Sequence, residues 1–395
     1  MKQYSISSYF SPEIILFINA QVGLFISALL DNSRGLIIPE LIREIKLDYF
    51  DAGLFLTISN IFAAIMSFML THILKKVGEK NTLLLALSTS VLICLSSFVV
   101  VNKLAFVAFG IFLGMMFGTI QSISSILTIR ASEGSKNNKL MTVNTILYGF
   151  FCLLCPILFG LVTSFGLRWN MFYLFLGVVI LIIAILFKIF LEEDSEISKI
   201  EKKENQENKK NLFLHLEIKA VFFICMLGFY SAGDVLASVW IPSLIKSIQN
   251  KTNFPLYVYS SGFFLVLSLS RLLWLIFGKK QYETIVMYGS LLLSVLFSIM
   301  GLNWDPILII FMGLKGPFFP IIFGRITSYF PDTWKDVTVY WWSYFQLSLC
   351  FLHYILGYVA SSIGVVKMFY ISPLMILISL VLLFIFKFKF ERNYV

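Results

Sequence analysis

Twelve long apolar segments, joined mostly by short polar loops, constrain this chain more than any single motif does. They lie near 14–38, 52–74, 82–101, 104–129, 139–164 and 170–190, and again near 220–245, 256–277, 284–302, 306–329, 338–363 and 367–388. Each is long enough to cross a hydrocarbon core at 1.5 Å of rise per helical residue. A soluble domain usually carries about 25% charged residues. This chain carries 13% against 58% hydrophobic residues, too little charge to cover a water-facing surface. The expected fold class is an all-α membrane protein of twelve transmembrane helices.

One hydrophilic stretch, LEEDSEISKIEKKENQENKKN, divides the segments six and six. The expected organisation is an N-terminal six-helix bundle over 1–190, a cytoplasmic linker over 191–219 and a C-terminal bundle over 220–395. The two bundles read as pseudo-symmetric repeats. Ile38-Pro39 to Ile45 and Ile241-Pro242 to Ile248 share the pattern I-P-x-L-I-[KR]-x-I, and an aspartate precedes each proline by eight residues. An offset of 203 residues carries Asp31 onto Asp234 and Pro39 onto Pro242. Parallel repeats of this kind place a solute site at their interface near the midplane.

Basic residues set the orientation. Lys75, Lys76 and Lys80, then Arg130, Lys136 and Lys139, then Lys279 and Lys280 recur on the side of the linker, and the opposite loops hold fewer. The positive-inside rule puts both termini in the cytoplasm of a multi-pass cell-membrane protein. The same rule accounts for the net charge of +9, and no nucleic-acid motif is present. The first apolar segment, interrupted by Asp31 and Arg34, reads as a retained helix rather than a cleaved signal. Asn250-Lys251-Thr252 is a glycosylation sequon on the predicted outer side.

Charged residues at depth are the candidate functional groups, since each costs at least ~2.5–3.5 kcal/mol at the centre of a bilayer. Asp31 and its counterpart Asp234 are read as proton-coupling carboxylates, with an i,i+3 pair between Asp31 and Arg34 as the structural alternative. Arg34 suits a carboxylate or phosphate through two hydrogen bonds. Lys315, between Gly313 and Gly316-Pro317, lies where a helix is weakened, and it is placed to meet Asp234 or an anion. Arg271 is read as a gating cation or one that snorkels to the basic loop. His353 is read as a packing residue before a proton relay. Gln121, Asn144 and Gln346 are candidate donors and acceptors for solute hydroxyls, and Tyr230 and Trp341 candidate ring surfaces.

Several segments resemble the major facilitator superfamily, and within it the fucose permease-like group of sugar–proton symporters. These are LLDNSRGLIIPELIREIKLDYFDAGLFLTISN, the Gly110/Gly114/Gly118 spacing, GLRWNMFY, FYSAGDVLASVWIP and GLKGPFFPIIFG. In the loop between helices 2 and 3, Lys76, Gly78 and Lys80 fit the superfamily's gating motif. Thr71, Lys75 and Glu79 depart from it, and Gln121 lies in the region of the helix-4 acid. The resemblance implies alternating access by rocking of two halves, proton-coupled symport of a sugar-like solute, and a gating role for Lys76 and Gly78. The chain is expected to act as a monomer without a cofactor.

Rival readings are an importer of organic anions such as carboxylates or siderophores, a drug or metabolite exporter, and a non-transporting receptor on the same scaffold. Three intramembrane cations against two intramembrane acids favour the anion importer more than a neutral sugar. Enzyme readings lack support, because the chain has neither a phosphate-binding G-x-x-x-x-G-K-[ST] loop nor H-E-x-x-H, and His72, His215 and His353 are far apart in sequence. Cys94, Cys152, Cys155, Cys225 and Cys350 all lie in apolar stretches and read as packing residues, not as a disulfide framework.

Overall fold

A computed structural model describes residues 12–135, 139–190, 217–331 and 333–391. Twelve helices there are long and apolar enough to cross a membrane. The first six are α1 (Pro12–Ile45), α2 (Tyr49–Val77), α3 (Glu79–Ser96), α4 (Lys103–Ser135), α5 (Lys139–Ser164) and α6 (Trp169–Phe190). The second six are α7 (Ile218–Ser247), α8 (Leu256–Phe277), α9 (Glu283–Asn303), α10 (Pro306–Gly324), α11 (Trp334–Ile363) and α12 (Val365–Phe390). The expected linker falls mostly outside the described residues, and α7 opens at Ile218, within its expected end.

Local chemistry explains the ends and breaks of these helices. Asp48 caps α2 by accepting the Asp51 N–H at 2.7 Å, and the Asp51 carboxylate accepts the Asp48 N–H at 3.4 Å in return. Gly78, with φ +80°, makes the turn from α2 to α3, a backbone conformation that side chains disfavour. Both α1 and α7 continue through their prolines, so α1 runs past the expected end at 38. Neighbouring helices make an internal proline tolerable in a membrane helix.

α10 departs most from the continuous helix expected over 306–329. Pro306–Lys315 is 3₁₀, and α geometry resumes only at Phe318, beyond Gly316-Pro317. Side chains from adjacent helices take up the loosened carbonyls. Ser294 Oγ donates to Met312 O at 2.8 Å, Ser270 Oγ to Gly313 O at 3.2 Å and Arg271 Nε to Gly316 O at 3.3 Å.

Packing repeats between the halves. α2 meets α4, as α8 meets α10; α3 meets α6, as α9 meets α12; α1 meets α5, as α7 meets α11. Gly110, Gly114 and Gly118 lie against Phe55, Ser59 and Ala63, so small residues bring α4 onto α2 along one stripe. On α6, Tyr173, Leu176 and Ile180 are buried while Leu181, Ile182 and Ile185 are exposed, as a lipid-facing helix requires. The five cysteines are free thiols.

The halves join along α1–α7, α2–α11 and α5–α8. Gly35 lies against the Val239 backbone, so the first helices of the two repeats cross one turn beyond both aspartates. Gly53 and Gly357 meet backbone to backbone. Thr57 Oγ1 donates to Cys350 O at 3.1 Å, and Phe50 packs edge-on to Tyr354. These contacts close the interface on the side of the α1–α2 turn.

Candidate functional site

Each half carries one buried ion pair near its middle. In the first, Arg34 is bound to Asp31 on the same helix face. Its Nη1 donates to Ser59 Oγ at 2.9 Å and Asn60 Oδ1 at 3.0 Å, its Nε reaches Asp31 O at 3.3 Å, and the guanidinium lies 4.9 Å from the Phe117 ring centroid. Contacts from α1, α2 and α4 fix this cation. Asp31 keeps its second oxygen for the Tyr148 hydroxyl, which donates at 3.2 Å. In the second half, Lys315 Nζ lies 3.1 Å from Asp234 Oδ1 and 4.8 Å from the Phe263 ring centroid.

Both pairs share one asymmetry. The cations are sealed, with Arg34 4% and Lys315 0% exposed, while the acids Asp31 and Asp234 retain 22% and 24% exposure. Each carboxylate is thus partly open while its cation is enclosed by protein.

Amide and hydroxyl groups continue from Asp31 towards the side of the α2–α3 turn. Ser27 Oγ donates to Gln121 Oε1 at 2.7 Å, and Gln21 Nε2 and Thr128 Oγ1 donate to Asn144 Oδ1 at 2.8 and 3.2 Å. Gln121 and Asn144, expected to face solute, are thus bonded within the first half. Gln346 is half-buried with its Oε1 unpartnered.

The remaining candidates are packed against protein. Tyr230 packs on Phe318 and Phe319, with its hydroxyl 3.5 Å from Lys315 O. Trp341 is 5% exposed and stacked on Phe345 beside Phe319 and Phe323, within the aromatic core of the second half. Arg271 neither snorkels nor forms an ion pair among the described residues. It is 6% exposed and donates to the carbonyls of Gly316 and Thr145, because the α10 break supplies an acceptor closer than the surface. His353 Nδ1 accepts from Trp240 Nε1 at 3.4 Å, a packing contact.

Lys76 is exposed beside the Gly78 turn. On the same side, Glu79 at the start of α3 is ion-paired with Arg130 near the end of α4. Glu283 at the start of α9 is ion-paired with Arg325 just beyond α10. Sequence reasoning passed over these paired ties and over Tyr148. Glu79 was visible only as a departure from the gating motif, and Tyr148 as one aromatic among many.

Twelve crossings in two like halves, with one acid–base pair buried in each, fit a secondary transporter rather than an enzyme. The chain belongs to the Major Facilitator Superfamily, whose family model matches residues 22–343. Its fold is similar to the inward-open xylose transporter XylE from E. coli, at 12% identity and TM-score 0.71, covering 95% of this chain and 96% of that one. The partially occluded inward-open form of XylE gives 12% identity and TM-score 0.69, covering 96% and 99%. A D-xylose–proton symporter gives 13% identity and TM-score 0.69, covering 93% and 97%. At these identities the likeness is one of fold. No curated protein matches the chain by sequence.

Proposed function

We propose that the protein is a proton-coupled symporter of a small, hydroxylated solute, with Asp31 as the principal proton-carrying group and Asp234 as its counterpart. The observation that carries this reading is the shape of the Asp31 site. One oxygen faces a cation that cannot leave, the other faces Tyr148, and the carboxyl remains partly exposed. Tyr148 belongs to α5, which packs on α8 of the other half, and its hydroxyl lies within electrostatic range of Asp234. In this reading, proton loss or gain at Asp31 biases how the halves sit.

The Lys/Arg distribution supports cytoplasmic termini in a cell-membrane protein. In that orientation the contacts Gly35–Val239 and Gly53–Gly357 close the external side, and the polar run from Asp31 to Asn144 leads inward. The fold likeness to inward-open structures and to a proton symporter supports the same reading. Solute and proton are released to the cytoplasm, and the halves then rock to re-expose the site outward. The protein works as a monomer under this scheme.

The test is Asp31→Asn in proteoliposomes. Uphill accumulation driven by an imposed pH gradient is expected to vanish while solute exchange across the membrane persists. Undiminished accumulation by the variant would remove Asp31 from the mechanism.

A further inference from the structure

Asp31, Arg34, Asp234, Lys315 and Arg271 are charged side chains inside membrane-spanning helices. Four are matched in the two ion pairs. Arg271 has no carboxylate in ion-pair range among the described residues. Its contacts are Gly316 O at 3.3 Å, Thr145 O at 2.9 Å and the Tyr230 side chain. Carbonyl dipoles solvate a guanidinium but do not neutralise it, so this set carries a surplus positive charge in a medium where surplus charge is costly.

The position of Arg271 adds to the argument. Gly316 belongs to the break in α10, in its own half, whereas Thr145 belongs to α5 in the other. The guanidinium therefore ties the halves together, at the end of an α5–α8 contact that also runs through Gly160–Tyr257 and Gly149–Ser268. Next to Thr145 in the chain is Asn144, bonded to Gln21, whose buried Oε1 has no partner. A buried cation held by carbonyls suits a ligand with a negative charge, and the orphaned Gln21 acceptor, reached through the chain neighbour of Thr145, suits one that also carries a hydroxyl.

We propose that the solute is a small hydroxylated monoanion whose carboxylate binds Arg271 in place of the Thr145 carbonyl, with a solute hydroxyl donating to Gln21 Oε1. The planar fork of arginine gives a carboxylate two parallel charge-assisted hydrogen bonds where a carbonyl takes one. Binding thereby neutralises the surplus charge and releases the tie between α5 and α8. This rests on the transporter reading above and names the chemical class of its solute.

The experiment is equilibrium binding to the purified full-length protein, by calorimetry and thermal shift, without a proton gradient. The probes are D-galacturonate, D-gluconate, the neutral methyl ester of D-galacturonate, and D-galactose. At least one acid is expected to bind, and to bind about tenfold or more tighter than the neutral compounds, as a charge-assisted pair implies. Arg271→Gln is expected to erase that preference and Arg271→Lys to keep part of it. Equal affinity for neutral and acidic probes, an unchanged preference in Arg271→Gln, or no binding by either acid to the folded protein would overturn the proposal. Should the variants fail to fold, the wild-type comparison of acid with ester decides it. Because no gradient is applied, a failure of proton coupling at Asp31 leaves this result unaffected.

Discussion

Asp31 and Asp234 occupy the same place in the two repeats, yet they draw their cations from different sources. Asp31 is paired with Arg34, one turn along its own helix, while Asp234 is paired with Lys315 from the break in α10. The first pair stays intact as long as α1 is helical. The second depends on how α7 and α10 are placed. The acid thus recurs at the matching position of both repeats, while its cation comes from a different helix in each.

This difference sets different costs for breaking each pair. Lys315→Met leaves Asp234 facing apolar surroundings without its cation. Removing one member of a buried pair typically costs about 3–5 kcal/mol, and partial exposure of Asp234 puts the expected loss at or below the low end, about 3 kcal/mol. Adding Asp234→Asn is expected to restore part of it. Thermal unfolding of the single and double variants checks both, and a double variant less stable than Lys315→Met alone would contradict the pairing.

The crossing of α2 and α11 depends on two glycines meeting backbone to backbone, where no flexible side chain can yield. Gly357→Leu is expected to wedge this side apart, at an overpacking cost of about 1–3 kcal/mol to the closed arrangement. The native Cys350, whose carbonyl binds Thr57, reports the change. Its maleimide labelling from the α1–α2 side should rise about tenfold, the shift that ~1.4 kcal/mol produces. An unaltered labelling rate would mean that the crossing does not control closure.

Glu79–Arg130 and Glu283–Arg325 join corresponding helix ends of the two repeats on the opposite side. Ion pairs at this exposure contribute about 0–1 kcal/mol each. Glu79→Gln and Glu283→Gln are expected to shift the conformational balance in the same direction, with the double variant near the sum. Labelling kinetics of both single variants and the double variant give the measure. Opposite shifts would show that the ties do not act as a symmetric set.

The fold was legible from apolar segment length alone, because a membrane crossing needs only a long hydrophobic helix. Depth also picked out Asp31, Arg34, Asp234, Lys315 and Arg271, since charge in such segments is rare. Partner identity was less legible. Asp31–Arg34 follows from helical spacing, but the bonds of Arg271 to two backbone carbonyls depend on a 3₁₀ stretch and a helix crossing that no side-chain pattern encodes. Trp341 shows the converse limit. Aromatic residues fill both solute sites and cores, and here the ring lies against Phe319, Phe323 and Phe345.

That placement makes Trp341 a stability residue in this structure. Trp341→Ala is expected to cost about 3–5 kcal/mol, the usual range for deleting a buried ring, while leaving the ratio of affinities among solutes unchanged. Unfolding curves and the binding series above test this together. A preserved stability with altered selectivity would return Trp341 to the solute surface.

The most direct measurement of the central claim is the pH of a lightly buffered medium after solute is added to de-energised, right-side-out vesicles. D-galacturonate, D-gluconate and D-xylose serve as probes, with wild-type and Asp31→Asn protein compared at equal abundance. The expected result is alkalinisation by at least one probe with wild type and none with Asp31→Asn. Solute entry without any pH change in the wild type, or alkalinisation that survives Asp31→Asn, would contradict proton coupling through Asp31.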